Sequence, residues 1–318
     1  ITSIPQISVD EETPYKATPS SLPFPTNIDT HRKWLAERDT FSILETVDIH
    51  TGERTILREF DYVVQAPNWT RDGRYLICTS RGRLYAYELA TGEMCEIDSG
   101  FAIDCTNDHL LSPDNTQLGI SHFTNQDATA RIYMLPCAGG DPTLITEKGP
   151  SYLHGWSPDG KRLVYCGERD GQYDIYTISV DGGPETQLTD EPGLDDGPEY
   201  SPSGEHIWFN SVRSGLMQIW RMEADGSNPT HIIQEQANCW FPHVSPDGQW
   251  VAYLAYGKDD VVPGDHPPNR NIEIRLIPAA GGPSKTIARL FGGQGTMNVN
   301  SWSPDSRTLA FFSYRLKE

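Results

Sequence analysis

The sequence predicts an all-β chain folded as a six-bladed β-propeller. Three observations carry that expectation. A short phrase recurs six times, its spacing matches one four-stranded sheet per repeat, and the strands missing after the last copy stand before the first. The copies are NWTRDGRYLIC from Asn68, LLSPDNTQLGIS from Leu110, GWSPDGKRLVY from Gly155, EYSPSGEHIWF from Glu199, HVSPDGQWVAY from His243 and SWSPDSRTLAF from Ser301. Their hydroxyl residues, Thr70, Ser112, Ser157, Ser201, Ser245 and Ser303, lie 42, 45, 44, 44 and 58 residues apart. An interval of about 40–45 residues built from short strands is that of a propeller blade.

Each repeat reads as four strands. Strand A, the innermost, ends at the tryptophan or its substitute; Trp69, Trp156 and Trp302 sit just before the hydroxyl residue and read as core. Pro-Asp-Gly then makes a tight turn, Asp bonding nearby amides and Gly or Asn taking left-handed angles. Strand B alternates with period two, as in RLVYCG. Strand C is clearest in YDIYTISV and MQIWRMEA and ends at the Asp-Gly turns VDGGP and ADGSN. Strand D is TQLT, THIIQ or TLITE. The sixth copy stops after strand B. FSILETVDIHTGERTILREF (41–60) is a strand, a Thr-Gly turn and a strand, and is expected to complete the last blade by pairing with the C-terminal strands at about 299–315. Such closure leaves no open sheet edge. Residues 1–40 are predicted to be a Pro-rich arm, with DTHRKWLAERDT (29–40) a short helix capped by Asp29 or Thr30, and 41–318 to be the propeller.

The phrase W-S-P-D-G-K-x-L/I-x-Y/F, followed by D-I-Y and D-G-G, resembles the TolB-like, WD40-like PD40 repeat over residues 41–318. The resemblance implies a six-bladed propeller. It implies function much less, because such propellers serve as scaffolds, enzymes and peptidase domains alike.

Composition excludes several classes. With 25 Lys+Arg against 44 Asp+Glu the formal net charge is −19, the wrong sign for nonspecific nucleic-acid binding. No apolar run approaches the roughly 18 residues of a membrane span. There is no GxSxG or HExxH, so serine-peptidase and zincin chemistry are not expected. The six cysteines form no CxxC pair and read as buried thiols. They favour a reducing, cytoplasmic location. The start, ITSIPQISVD, has no basic segment before an apolar core, and a periplasmic location is expected only if a leader has been removed.

Chain direction separates two faces. The Ser-Pro-Asp-Gly and Asp-Gly turns lie on one, repetitive and architectural. The B–C loops and D–A connections lie on the other, here called the mouth face. They are irregular, which is where binding and catalysis concentrate. The long last interval comes from an insertion in the fifth B–C loop, GKDDVVPGDHPPNRN (257–271), a candidate lid that supplies His266 and Arg270. Three histidines fall in strands A: His109 and His154 three residues before their serines, and His243 two before its own. Together with Asp196 they are the catalytic candidates, and the three imidazoles are the candidate ligands for a divalent Mn, Fe, Zn or Ni ion. Asp108, Asp195, Glu199, Arg213, Trp240 and Gln294 are the further candidate ligand-binding residues, Trp240 as a stacking platform.

Two functions are expected to compete. One is binding of a polar ligand, carbohydrate in class, at a His/Asp-lined channel mouth. If that ligand is also turned over, the expected chemistry is that of a metal-dependent lyase. Oligogalacturonate lyases are a similar propeller family, and the likeness implies a metal that acidifies the proton beside a uronate carboxyl; no residue is carried over from it. The other is a non-catalytic, protein-binding scaffold of the TolB type.

Overall fold

The structure, a computed structural model, describes residues 40–124 and 127–317. The short helix expected at 29–40 lies outside the described residues, except that Thr40 already begins a strand. The closing segment comes first: β1 (Thr40–Asp48) and β2 (Arg54–Phe60). Blade 1 is β3 (Gln65–Trp69), β4 (Tyr75–Ser80), β5 (Arg83–Glu88) and β6 (Met94–Ile97). Blade 2 is β7 (Cys105–Leu111), β8 (Gln117–Phe123), β9 (Ala130–Pro136) and β10 (Thr143–Leu144). Blade 3 is β11 (Ser151–Trp156), β12 (Arg162–Arg169), β13 (Gln172–Ser179) and β14 (Thr186–Gln187). Blade 4 is β15 (Asp195–Tyr200), β16 (His206–Ser211), β17 (Gln218–Glu223) and β18 (Thr230–His231). Blade 5 is β19 (Ala237–Val244), β20 (Trp250–Gly257), β21 (Arg270–Pro278) and β22 (Lys285–Gly292), and β23 (Thr308–Leu316) ends the chain. Blades 1 to 5 are antiparallel four-stranded meanders, and the sixth sheet has the order β2-β1-β23. Consecutive inner strands touch, β3 with β7, β7 with β11, β11 with β15 and β15 with β19, and β23 returns to β3. Among the described residues no helix is long and apolar enough to cross a membrane.

The recurring phrase is explained by its turn. Ser157 Oγ donates to Asp159 Oδ1 at 2.6 Å and accepts from Arg162 N at 2.9 Å, while Asp159 Oδ1 also accepts from Lys161 N at 3.1 Å. The same hydroxyl–carboxylate bond joins Thr70 to Asp72, Ser112 to Asp114, Ser245 to Asp247 and Ser303 to Asp305. It is the main reason that Asp72, Asp159 and Asp305 titrate below the ordinary carboxylate range and Asp114 at about 2. The residue after the Asp is left-handed: Gly160 has φ +71°, Asn115 +60° and Ser306 +61°. Glycine takes this angle without a Cβ penalty. The tryptophans are ties between blades. Trp156 Nε1 donates to Leu110 O at 3.2 Å and Trp302 Nε1 to His243 O at 2.9 Å, each a carbonyl of the preceding inner strand.

Closure follows the expected pairing. β1 runs antiparallel to β23 from Thr40↔Leu316 to Asp48↔Thr308, and β2 adds the outer edge. Glu45 anchors the seam, accepting from Arg54 of β2 at 2.7 Å and from the Ser313 hydroxyl of β23. The expected C-terminal strand from about 299 is only partly formed. Strand A of this blade is a single bridge, Trp302↔Leu309. Its polar groups are spent sideways: Asn300 O accepts from Asn68 Nδ2 of blade 1, Ser301 Oγ donates to Pro67 O, and Asn300 Nδ2 donates to Glu199 of blade 4.

Leu44 is fully buried in the cluster that joins β1 to blade 1 through Val64, Leu76 and Phe312. Leu44→Ala is expected to cost about 3 kcal/mol, the usual range for a large-to-small change in a packed core. Urea unfolding checks this; an unchanged midpoint would show that the seam does not unfold with the ring.

Candidate functional site

The inner strands break regular pairing at a shared height. Register shifts lie between Gln65 and Asn68, Cys105 and His109, Leu153 and Gly155, Asp196 and Glu199, and Trp240 and His243. Such bulges re-aim side chains and favour functional sites. In β11 the extra residue is His154. In β15 it is Gly197-Pro198, where Gly197 has φ +59° and a Cβ would fall 2.5 Å from Asn210 Oδ1. In β19 it is Phe241-Pro242; Phe241 holds φ +55° with its N–H on the same Asn210 oxygen at 3.0 Å. A bulky residue at positive φ is strained and persists only where its surroundings enforce it.

These bulges assemble a polar group on the mouth side of the channel. His154 Nε2 stands 3.2 Å from Asp196 Oδ1, which also accepts from Gly197 N at 2.7 Å. The His154 ring stacks on Phe241, centroids 5.8 Å apart and planes at 22°. Asp108, from the bulge of β7, accepts from Thr106 Oγ1 at 2.7 Å. His266, from the inserted loop, lies 4.2 Å from the Trp240 ring and 5.2 Å from that of Phe241, and hydrogen-bonds Gln294. His154, Asp108 and Asp196 keep only 5%, 7% and 9% of their surface exposed, so their charges interact with little screening.

Burial and charge compete here with readable outcomes. Burial opposes protonation of His154, but the hydrogen bond and charge of Asp196, with Asp108 beyond, overcome it and raise its pKa. Asp196 moves the opposite way: burial would raise it, and His154 brings it below the usual value. The two shifts agree on an imidazolium–carboxylate pair. Asp108 lies farther from that cation, and burial lifts it to about 6 despite His154. Burial lowers His266, partly offset by Asp196. A carboxyl near 6 beside an imidazolium can exchange protons at neutral pH.

Of the sequence candidates, the fold brings together His154, Asp196, Asp108, His266 and Gln294. It leads the others elsewhere. His109 is fully buried, its Nε2 3.0 Å from Ile77 O between blades 1 and 2, and burial lowers it to about 4. His243 sits between Glu199 Oε2 at 2.8 Å and Met297 O at 3.1 Å, tying blades 4, 5 and 6; Glu199 Oε1 takes Val244 N and Asn300 Nδ2. Both are fixed by a neighbouring blade, and the three imidazoles do not converge. Among the described residues no group of three or more His, Cys, Asp or Glu side chains is placed to hold a metal ion. The residues present therefore do not fit the divalent metal expected from the histidines. Asp195 pairs with Arg213, whose guanidinium lies over the Phe209 and Trp220 rings, 5.3 and 5.2 Å from their centroids. Arg270 donates to Asn269 O. Trp240 is fully buried, so its face is not an open platform as expected. Sequence reasoning missed Tyr152 and Tyr173. Both are half-buried, and the charge of Asp196 helps raise their pKa values, after burial. Tyr152 stands two residues before His154 in the same strand, a spacing that placed it on one side with His154 until the bulge is known.

A six-bladed ring with one off-pattern, buried His–Asp pair at its mouth defines a propeller whose architecture repeats and whose chemistry does not. Residues 148–263 match the TolB beta propeller domain family, PD40. An uncharacterised protein of Agrobacterium fabrum is 44% identical over 274 residues, 86% of this chain and 92% of that protein. A solved structure from Agrobacterium tumefaciens, provisionally described as a TolB, superposes with a TM-score of 0.84 at 43% identity, over 87% of this chain and 99% of that one. The chain belongs to the TolB-like β-propeller family. An oligogalacturonate lyase in complex with manganese shares the architecture alone: TM-score 0.53 at 14% identity, over 88% of this chain and 98% of that one.

A carboxyl raised by folding is a stability cost when ionised. Its penalty is absent below the unfolded value near 3.8 and grows until pH passes the folded value of about 6. Asp108→Asn is therefore expected to stabilise the protein by about 1–3 kcal/mol at pH 7 and hardly at pH 4. Thermal or urea melts at both pH values check this; equal effects at both would place Asp108 in a polar setting. His154 has the opposite linkage: its contribution is full below the unfolded imidazole pKa and is lost as pH rises through the raised folded value.

Proposed function

We propose that this TolB-like propeller binds a polyhydroxylated ligand, carbohydrate in class, at the mouth-face end of its channel. The observation that carries the reading is the buried His154–Asp196 pair, built from two strand bulges, with a second buried acid, Asp108, near it. Asp196 Oδ1 takes His154 and Gly197, and Asp108 Oδ2 takes Thr106. Asp108 and Asp196 are both buried, and burial holds Asp108 at about 6. Sugar hydroxyls donate to carboxylates, and the half-buried rings of Tyr152 and Tyr173 suit the apolar face of a pyranose. His266 and Gln294 bring the inserted loop and the blade 5–6 connection to the same place. The metal-dependent lyase expected from the likeness to oligogalacturonate lyases gains no support from the ligand geometry. The cytoplasmic location expected from the cysteines gains none from the relatives, although all six thiols are free.

A protein-binding scaffold is the second reading. What favours it, besides kinship with TolB-like proteins, is apolar surface on the mouth face: Phe101 and Ile103 between blades 1 and 2, and Val262, 72% exposed, on the inserted loop.

His154→Ala is expected to weaken saccharide binding at least tenfold while leaving far-UV circular dichroism unchanged. Calorimetric titration against an oligosaccharide panel checks it. Unaltered affinities in the variant would remove the site from the ligand path. Loss of a captured protein partner on shortening loop 257–271, with no saccharide bound by the intact protein, would favour the scaffold.

A further inference from the structure

Strand B carries a position that faces the bulge of the next blade. Ser121, Cys166 and Asn210 occupy it in blades 2, 3 and 4, nine residues after Ser112, Ser157 and Ser201. All three are buried. Ser121 Oγ accepts from Leu153 N at 2.8 Å, one residue before His154. Cys166 Sγ donates to Asp195 O at 3.4 Å, one residue before Asp196, and the thiol also hydrogen-bonds the Asp196 side chain. Asn210 Oδ1 accepts from Phe241 N at 3.0 Å and packs on Gly197, where a Cβ would fall 2.5 Å from it. Asn210 also stands opposite Asp196 in the ladder of blade 4. Each side chain thus grips the backbone at or beside one component of the site: His154, Asp196, and the Phe241 ring stacked on His154. The other blades lack the grip. Among the described residues Thr79 Oγ1, at this position in blade 1, is buried without a hydrogen bond, and blades 5 and 6 place Leu254 and Phe312 there.

We propose that Ser121, Cys166 and Asn210 are positioning residues. Through the backbone of the neighbouring blade they set His154 against Asp196 and hold the Phe241 ring on the imidazole. The inference rests on the carbohydrate-site reading above and extends it from the groups that would meet the ligand to those that aim them. A bulge takes a residue out of the ladder and leaves backbone groups without a cross-strand partner. In a buried strand such groups need another partner. Where a side chain of the next blade supplies it, the bulge is pinned in place. Phe241 shows the demand, because φ of +55° is unfavourable for a bulky residue and the Asn210 bond opposes its relaxation. Binding groups must be held within about 0.5 Å of their productive place by such supports. The grip is also selective, which generic fastening would not be. The three bonded side chains precede the three blades that supply the pair and its ring. Asp108, on the blade that follows Thr79, is fixed within its own bulge by Thr106 Oγ1 at 2.7 Å.

The test reads His154 directly, by NMR of the whole chain with isotope-labelled histidine, its resonance assigned by loss in His154→Ala. Ser121→Ala, Cys166→Ala and Asn210→Ala are compared with Thr79→Val, which alters the same position where no bond exists. Asn210→Ala is expected to move the resonance toward that of an unstacked imidazole. Ser121→Ala and Cys166→Ala are expected to lower its titration midpoint, which Asp196 and Asp108 raise, toward the ordinary imidazole value. His266, the other imidazole facing His154, is intact in every variant. Thr79→Val, and Ser121→Thr with its hydroxyl kept, should behave as wild type. In calorimetric titrations with cellotriose, maltotriose, trigalacturonate and the N-acetylglucosamine trimer, each alanine variant is expected to lose about tenfold in affinity for whichever probe the wild type binds, the worth of one buried hydrogen bond. Ser121→Ala and Cys166→Ala each remove a single heavy atom and carry the test if Asn210→Ala does not fold. An unmoved resonance and midpoint in the folded alanine variants would overturn the inference. Equal changes in Thr79→Val would overturn it too, by reducing the three bonds to general packing. Moved resonances with no probe bound by the wild type, or with unchanged affinities, would uphold the positioning and overturn the carbohydrate reading of this site.

Discussion

Ring closure by β1 and β23 is the constraint on which the rest depends. The blades are individually small sheets whose inner strands cannot bury themselves, and each is covered by the next. Strand pairing over Thr40–Asp48 and Thr308–Leu316 makes that arrangement endless. Once closed, neighbouring inner strands are held close enough for a side chain of one blade to bond the backbone of another. Trp156 to Leu110 O, Trp302 to His243 O and His109 to Ile77 O are all of this kind. These contacts cannot be made within one repeat. They explain why residues that look like candidates for chemistry in a linear sequence serve as fasteners in the ring.

The same crowding creates the site. An inner strand that pairs regularly gives its side chains alternately to its two neighbours. A bulge breaks that alternation and turns a residue toward the axis. Five inner strands carry such a break, but they fill it differently: Ala66-Pro67, Thr106 to Asp108, His154, Gly197-Pro198 and Phe241-Pro242. Two of these supply ionisable groups, Asp108 and His154, and Asp196 flanks the fourth, Gly197-Pro198. Phe241 supplies a ring under His154. The apolar or small occupants give the polar ones space and a low dielectric. The energetic consequence is a trade. The His154–Asp196 pair compensates itself, whereas Asp108 is held at about 6 by burial and lowers stability at neutral pH. Uncompensated strain of this sort is commoner where function demands it.

How much of this was legible in the sequence differs by level. Blade number, strand order and the use of 41–60 to close the ring follow from a phrase whose residues bond within five positions of one another, as Ser157, Asp159 and Arg162 do. Local bonding leaves a local signature. The site has no such signature, because His154, Asp196, Asp108 and His266 come from four blades. Their nearness to the mouth was readable from chain direction, and their mutual contacts were not. His109 shows why. It occupies the same offset from its serine as His154, yet it pairs with Ile120 inside the ladder while His154 is the unpaired bulge residue. One residue of register decides between a fastener and a ligand, and register depends on where each bulge falls. The insertion at 257–271 was visible as length, but that His266 tucks beneath it against Trp240 and Phe241 requires the aromatic pair to be in place first.

The difference between His154 and His243 extends that argument from position to chemistry. Both imidazoles are buried and both face a carboxylate, at 3.2 Å and 2.8 Å. Around His243 the arrangement is complete. The second ring nitrogen meets Met297 O, and Glu199 divides its oxygens between the ring, Val244 N and Asn300 Nδ2. Nothing is left over to receive a ligand, and the fully satisfied network rigidifies three blades. Around His154 a second buried acid, Asp108, stands near the pair, and burial holds it at about 6. The two pairs thus have the same ingredients and different neighbours. A histidine–carboxylate pair is accordingly weak evidence of function. A second buried acid raised by its burial is stronger evidence, because folding alone gives no reason to hold it there.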